Sequence, residues 1–170
     1  MKDIKVIFIA THGEKEEKKP NPGLTEKGFA EITALKSLLP SSNNIICGTG
    51  KRHFDTAKAL WLKPNRVTSA AGDADSMDFI NGVRVVILAD GTFVQYDAYT
   101  SLKDNEDSAR SMIVSLPDNS IVCAGRPLLI MLGDPNGKSA AVYRVTIEMG
   151  EIISIEEIIS LGTTDPTLQK

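Results

Sequence analysis

Histidine and cysteine are scarce: the 170 residues hold two of each, His12 and His53, Cys47 and Cys123. The cysteines stand far apart in the chain, so spacing assembles no zinc site, and neither a metal nor an organic cofactor is expected. Each cysteine follows β-branched residues in a strand-like run, Ile45-Ile46-Cys47 and Ile121-Val122-Cys123. That context reads as buried free thiols, and a reducing compartment such as the cytoplasm is the expectation. Excess charge is also lacking. A formal net charge of −3 gives no electrostatic footprint for nucleic acid, although a small basic patch could hold a small anion. Long apolar runs are missing too: those present are strand-sized, which excludes a transmembrane helix and a membrane partner at this level. The opening Met1-Lys2-Asp3-Ile4-Lys5-Val6-Ile7-Phe8-Ile9-Ala10 reads as a first strand, not a signal peptide, because Asp3 interrupts its basic start. There is no internal repeat and no linker, so residues 1–170 read as one domain, with a loose tail at 162–170.

What is present is an alternation of strands and helices. Residues 5–10 form a short apolar strand pattern, followed by a charged loop over 13–23. Thr25 is placed to cap a helix whose Phe29, Ile32, Leu35 and Leu39 share one face, with Pro40 at its end. A strand at 44–47 and a helix at about 51–62 come next. Residues 63–82 carry little pattern, and 70–75 reads as loop. Strands at 83–88 and 92–96 flank Asp90-Gly91, a dipeptide suited to a type I′ hairpin turn. A helix at about 106–116, a strand at 120–124 and a short apolar helix to Leu132 follow. Strands 141–148 and 152–158 pair through Met149-Gly150. The expected fold is α/β: three layers, a mostly parallel sheet with helices on both faces, and an antiparallel edge hairpin. A flavodoxin-like sheet is the runner-up.

Three segments stand where strands end, which is where open α/β sheets place ligands. Thr11-His12-Gly13 follows the first strand. Gly48-Thr49-Gly50-Lys51-Arg52 follows the second, and its glycines, helix start and guanidinium suit an anion. Ala124-Gly125-Arg126 stands after the strand run Ser120 to Cys123. Convergence of the three would make an anion pocket around His12 and Arg52, with Thr11, Gly13 and Arg126 as further phosphate-binding candidates.

These segments, with their spacing, resemble the histidine-phosphatase, or phosphoglycerate-mutase-like, superfamily, and in size its small phosphohistidine phosphatases. That family opens with a strand, Arg-His-Gly, a loop and Leu-Thr-x-x-Gly; here stand Thr11-His12-Gly13 and Leu24-Thr25-Glu26-Lys27-Gly28. Its second block is an Arg with Thr-Ala four residues on; here Arg52 and Thr56-Ala57. Its third is a strand ending in Ser/Thr-His-Gly; here Cys123-Ala124-Gly125. The resemblance runs from Lys5 to about Leu132. It implies that His12 is the candidate nucleophile and that no cofactor is needed.

Two of the family's four core groups are absent. Thr11 stands for the first-block Arg, and Ala124 for the second His. His53, adjoining Arg52, belongs by its backbone to the second block. Arg126, two residues past Ala124, could supply a cation, as could Lys15, Lys18, Lys19 or Lys51. Asp73, Asp75 and Asp78 are acids by position alone, with no role assigned. The expectation is therefore a domain that binds phosphate or a small phosphorylated ligand, with catalysis weak or absent. The alternatives are an active phosphatase working through His12 on a phosphomonoester or phosphohistidine, and a structural or interaction module with a vestigial pocket. The hairpin at 83–96 is expected to extend the main sheet or to make a homodimer contact.

Overall fold

The computed structural model describes residues 3–96 and 106–161. The first part of the chain runs β1 (Ile4–Thr11), α1 (Glu26–Thr33), β2 (Ile45–Cys47), α2 (Lys51–Ala59) and β3 (Arg66–Val67). Strands β4 (Ser76–Ile80), β5 (Val83–Ile87) and β6 (Phe93–Gln95) then precede α3 (Glu106–Ser115). Strand β7 (Ile121–Ala124), α4 (Arg126–Leu132), β8 (Ala141–Glu148) and β9 (Glu151–Ser160) complete the described chain.

Six strands form one sheet in the order β3-β2-β7-β1-β8-β9. The pairings β3–β2, β2–β7 and β7–β1 are parallel, while β1–β8 and β8–β9 are antiparallel. This is the expected mostly parallel sheet with an antiparallel edge hairpin. Strand side chains alternate between faces, and β1 shows both layers. Ile7 and Ile9 pack in one cluster with Met112 and Ile113 of α3 and Leu128 and Leu129 of α4. Phe8 and Ala10 pack in the other with Ile32 of α1 and Ala57 of α2. Helices thus cover both faces. No helix among the described residues is long and apolar enough to cross a membrane.

The segment at 63–82 holds two strands that its weak pattern hid. Strand β4 pairs with β5 across Asn81-Gly82, with Ile80 opposite Val83. Both turn residues have positive φ, 51° and 79°, so the two-residue type I′ turn lies here. At Asp90-Gly91 only Gly91 takes positive φ, 90°. There Gly91 N–H donates to Leu88 O at 2.9 Å and Leu88 N–H to Thr92 O at 2.8 Å. This is the three-residue loop in which a type I turn ends on a left-handed glycine, not the type I′ turn expected from the dipeptide. The hairpin at 83–96 also does not extend the main sheet. It joins β4 in a separate antiparallel sheet, β4-β5-β6. Asp75 ties the two parts of this lobe together, its carboxylate accepting from Ala89 N–H at 2.9 Å.

Cys47 and Cys123 face each other in register on β2 and β7, both free and buried. The Cys47 thiol donates to Gly48 O at 3.0 Å. Burial pushes its pKa up to about 11 and raises that of Cys123 as well. Thiolate is the reactive form, so a disulfide-exchange reagent is expected to label neither residue in the native protein and both in denaturant. Native labelling within minutes would show that β2 and β7 open readily.

Candidate functional site

Strands β2, β7 and β1 are parallel neighbours, so their C-terminal ends lie side by side and bring Gly48, Ala124-Gly125 and His12 to one edge of the sheet. The backbone of His12 is held from both sides. Its N–H donates to Ala124 O at 3.1 Å, and its carbonyl accepts from Ala140 N–H at 2.8 Å. The imidazole Nδ1 lies 2.8 Å from Gly13 O. A carbonyl only accepts, so Nδ1 carries the proton and Nε2 keeps its lone pair. Burial, and next the positive charge of Arg52, lower the His12 pKa to about 3; Lys15 and Arg126 act in the same direction, against the Gly13 hydrogen bond. His12 is therefore neutral at physiological pH, and the charged groups acting on it are all cations.

Arg52 lies in the first turn of α2 and is 6% exposed. Its Nη2 donates to Asp73 O at 2.8 Å and Asp75 O at 2.7 Å, and its Nη1 to Ala74 O at 3.4 Å. Burial lowers its pKa to about 10 against the opposing pull of Asp73 and Asp75, so it stays a cation at neutral pH. Much of its donor fork thus holds the 73–75 loop. Arg126 is buried at the start of α4, its Nε donating to Gly137 O at 2.7 Å. Thr11 is turned elsewhere. Its hydroxyl donates to Lys138 O at 2.7 Å and accepts from Ala141 N–H at 3.0 Å, so it seals the joint between β1 and β8. Gly13 lies against α1, where a methyl would stand 2.6 Å from Gly28 O.

By its backbone His53 belongs to the second block, yet the structure brings its ring beside His12. The ring centroids are 6.0 Å apart and tilted by 59°. Gly50 caps α2, and His53 at the third helical position turns back so that Nδ1 accepts Gly50 N–H at 3.0 Å. This backward reach from the third helical position is the reciprocal half of a capping box, and it is the sequence signal that could have found the residue. Burial, with Arg52 and His12, holds His53 well below the usual histidine range. A neutral ring that accepts at Nδ1 carries its proton on Nε2.

The carboxylates of Asp73 and Asp75 in the loop and of Asp78 on β4 accept backbone N–H groups. Asp73 accepts from Ala74 N–H at 2.7 Å, Asp75 from Ala89 N–H, and Asp78 from Phe79 N–H at 2.7 Å and Lys18 N–H at 3.1 Å. Of the lysines, Lys15 acts on His12, whereas Lys19 pairs with Glu16 at 3.0 Å. The first two blocks are tied together, with Asp55 of α2 accepting from Leu24 N–H at 3.0 Å and Lys51 N–H donating to Asn21 Oδ1 at 2.8 Å. No group of three or more histidine, cysteine or acidic side chains among the described residues could hold a metal ion.

No protein-family model matches the sequence, and no curated protein matches it. Solved structures do match the fold. TTHB049 from Thermus thermophilus superposes with a TM-score of 0.60 at 13% identity, over 92% of this chain and 99% of its own. The product of the open reading frame Rv3214 from Mycobacterium tuberculosis gives 0.60 at 16% identity, over 94% and 98%. The mycobacterial glucosyl-3-phosphoglycerate phosphatase Rv2419c gives 0.62 at 12% identity, over 95% and 100%. The chain therefore shares the fold of these proteins, as the resemblance to the histidine-phosphatase superfamily implies.

Proposed function

We propose that this domain binds phosphate or a small phosphorylated ligand at His12, with phosphoryl turnover weak or absent. The observation that carries the reading is the meeting of three parallel strand ends at buried His12, with the buried Arg52 and Arg126 on the helices that start there. Positive charge gathered at the ends of three parallel strands suits a compact anion. The likeness in fold to a phosphatase agrees with this, as an analogy. Weak turnover follows from what the donors do. The Thr11 hydroxyl serves Lys138, the Arg52 fork holds carbonyls of the 73–75 loop, and Ala124 offers only a methyl. Each missing transition-state donor costs about 3–4 kcal/mol, or roughly 10²–10³ in rate.

Phosphate and vanadate are expected to raise the melting temperature. At a hundredfold excess over Kd, a ligand of the native state adds about 2.7 kcal/mol. For a domain of this size that is a rise of roughly 5–10 °C, which His12→Ala should largely abolish. Absence of a shift with any phosphate-like anion would leave the interaction-module reading in its place.

A second reading, an active phosphatase, is favoured by the His12 tautomer, which leaves Nε2 with its lone pair. In that chemistry Nε2 attacks phosphorus as the ester P–O bond breaks, and the departing alkoxide takes up a proton. Water then cleaves the N–P bond, returning the imidazole and releasing phosphate. Turnover of a generic phosphomonoester that disappears in His12→Ala establishes this reading, and turnover equal to that control removes it.

A further inference from the structure

His53 is fully buried, and its Nε2 has no hydrogen-bond partner among the described residues. An unsatisfied buried donor is destabilising, and an apolar side chain of similar size would avoid that cost. The ring is also given room by glycines from three separate segments. A methyl at Gly48 would lie 2.5 Å from His53 Nδ1, and one at Gly72 would lie 2.7 Å from Nε2. A methyl at Gly125 would lie 3.4 Å from His53 Nε2 and 3.8 Å from His12 Cδ2. Cδ2 is bonded to the His12 Nε2, so the Nε2 edges of both rings flank one spot beside Gly125. One edge presents a lone pair and the other an N–H.

We infer that His53 is a ligand-binding residue of this site, its Nε2–H donating to an oxygen of the anion held at His12. The inference rests on the phosphate reading above and names a further contact within it. Monohydrogen phosphate fits this pair because its O–H can donate to the His12 lone pair while one of its acceptor oxygens meets the His53 N–H and another faces the cations. Helix α2 would then supply both Arg52 and His53, adjacent residues with separate tasks: one orders the 73–75 loop and the other meets the ligand.

The test is an imidazole ¹⁵N titration of the whole protein with inorganic phosphate, beside phosphate affinities of His53→Asn and His53→Gln. Asparagine can keep the acceptor for Gly50 N–H but places no donor at the Nε2 position; glutamine does the reverse. The expected result is that phosphate shifts both ring signals with one saturation curve. His53→Asn should weaken phosphate binding roughly ten- to hundredfold while melting near the wild-type temperature, and His53→Gln should bind phosphate better than His53→Asn despite melting lower. A response confined to His12, or wild-type affinity in His53→Asn, overturns the inference and leaves the phosphate reading standing. No response at either ring overturns both. If the variants do not fold, the wild-type titration alone decides.

Discussion

Acidification from neutral to about pH 4 is expected to remove about 3 kcal/mol of stability through His12 alone. The folded pKa of His12 is lowered to about 3 from an ordinary 6.5. Below the ordinary value the unfolded chain takes up a proton and the folded chain does not. The contribution is therefore complete above about pH 6.5, falls by about 1.4 kcal/mol per pH unit beneath it, and stops falling only near the folded pKa. His53, held well below its ordinary value chiefly by burial, acts with the same sign and steepens the loss. Against a total of about 5–15 kcal/mol for a typical domain, a loss of this size brings acid unfolding within reach at mild pH.

Urea denaturation between about pH 6.5 and 5 isolates the effect, because most carboxylates remain ionised there. His12→Asn and His53→Asn should each flatten the profile, and together should nearly level it. Asparagine can replace the donor that His12 gives Gly13 O and the acceptor that His53 gives Gly50 N–H, so each change removes a titration with little loss of structure. A wild-type profile that is already flat over this range would show that one or both rings take up a proton without leaving the fold.

The sequence reveals those features whose cause is local. The turn at Met149-Gly150 shows positive φ at both residues, 52° and 80°, as the dipeptide suggests. Thr25 caps α1 by accepting Gly28 N–H at 3.1 Å. The three strand-end segments meet because apolar strand runs and intervening helices dictate a parallel sheet. What stayed hidden has no local cause. Strand β3 is two residues long, and β4 interrupts its apolar pattern with Asp78, so neither stands out until its partner is known. Asn81-Gly82 and Asp90-Gly91 are similar turn signals, and only the strand register decides which forms the type I′ turn. The partners of Arg52 are backbone carbonyls, which leave no mark on residue identity. Thr11 carries its hydroxyl away from His12 because the segment leading into β8 offers it Lys138 O and the start of β8 offers Ala141 N–H, and these lie far along the chain. His53 was visible as a residue, but its reach depends on a side chain turning back over the helix cap toward loops from β2 and β7.

Gly28→Ala is expected to destabilise the fold and the site together, although alanine is the better helix former by about 1 kcal/mol. The first turn of α1 lies directly on the segment that follows His12. Thr25 N–H donates to Glu14 O at 2.9 Å, which draws the helix start onto that segment. A methyl at Gly28 would collide with Glu14 O and stand 2.9 Å from Glu14 N and 3.1 Å from Glu14 C. All three are backbone atoms, so no flexible side chain can yield. Relief requires α1 or residues 13–14 to move, and Gly13 O fixes the His12 tautomer. Overpacking of this kind costs about 1–3 kcal/mol, occasionally more. At roughly 2–4 °C per kcal/mol for a chain of this length, a fall in melting temperature of about 5–10 °C is expected, with weaker phosphate binding in the same variant. Thr25→Ala is the informative comparison. It removes a helix cap for about 1 kcal/mol, and with it the hydroxyl's hydrogen bonds to Glu14. It keeps the Thr25 N–H bond to Glu14 O and places no atom against the Glu14 backbone. It should therefore lower stability and affect phosphate affinity less than Gly28→Ala does. If Gly28→Ala melts at or above the wild-type temperature, the helix and the His12 loop are not in obligatory contact. The glycine of the Leu24-Thr25-Glu26-Lys27-Gly28 block would then need another explanation.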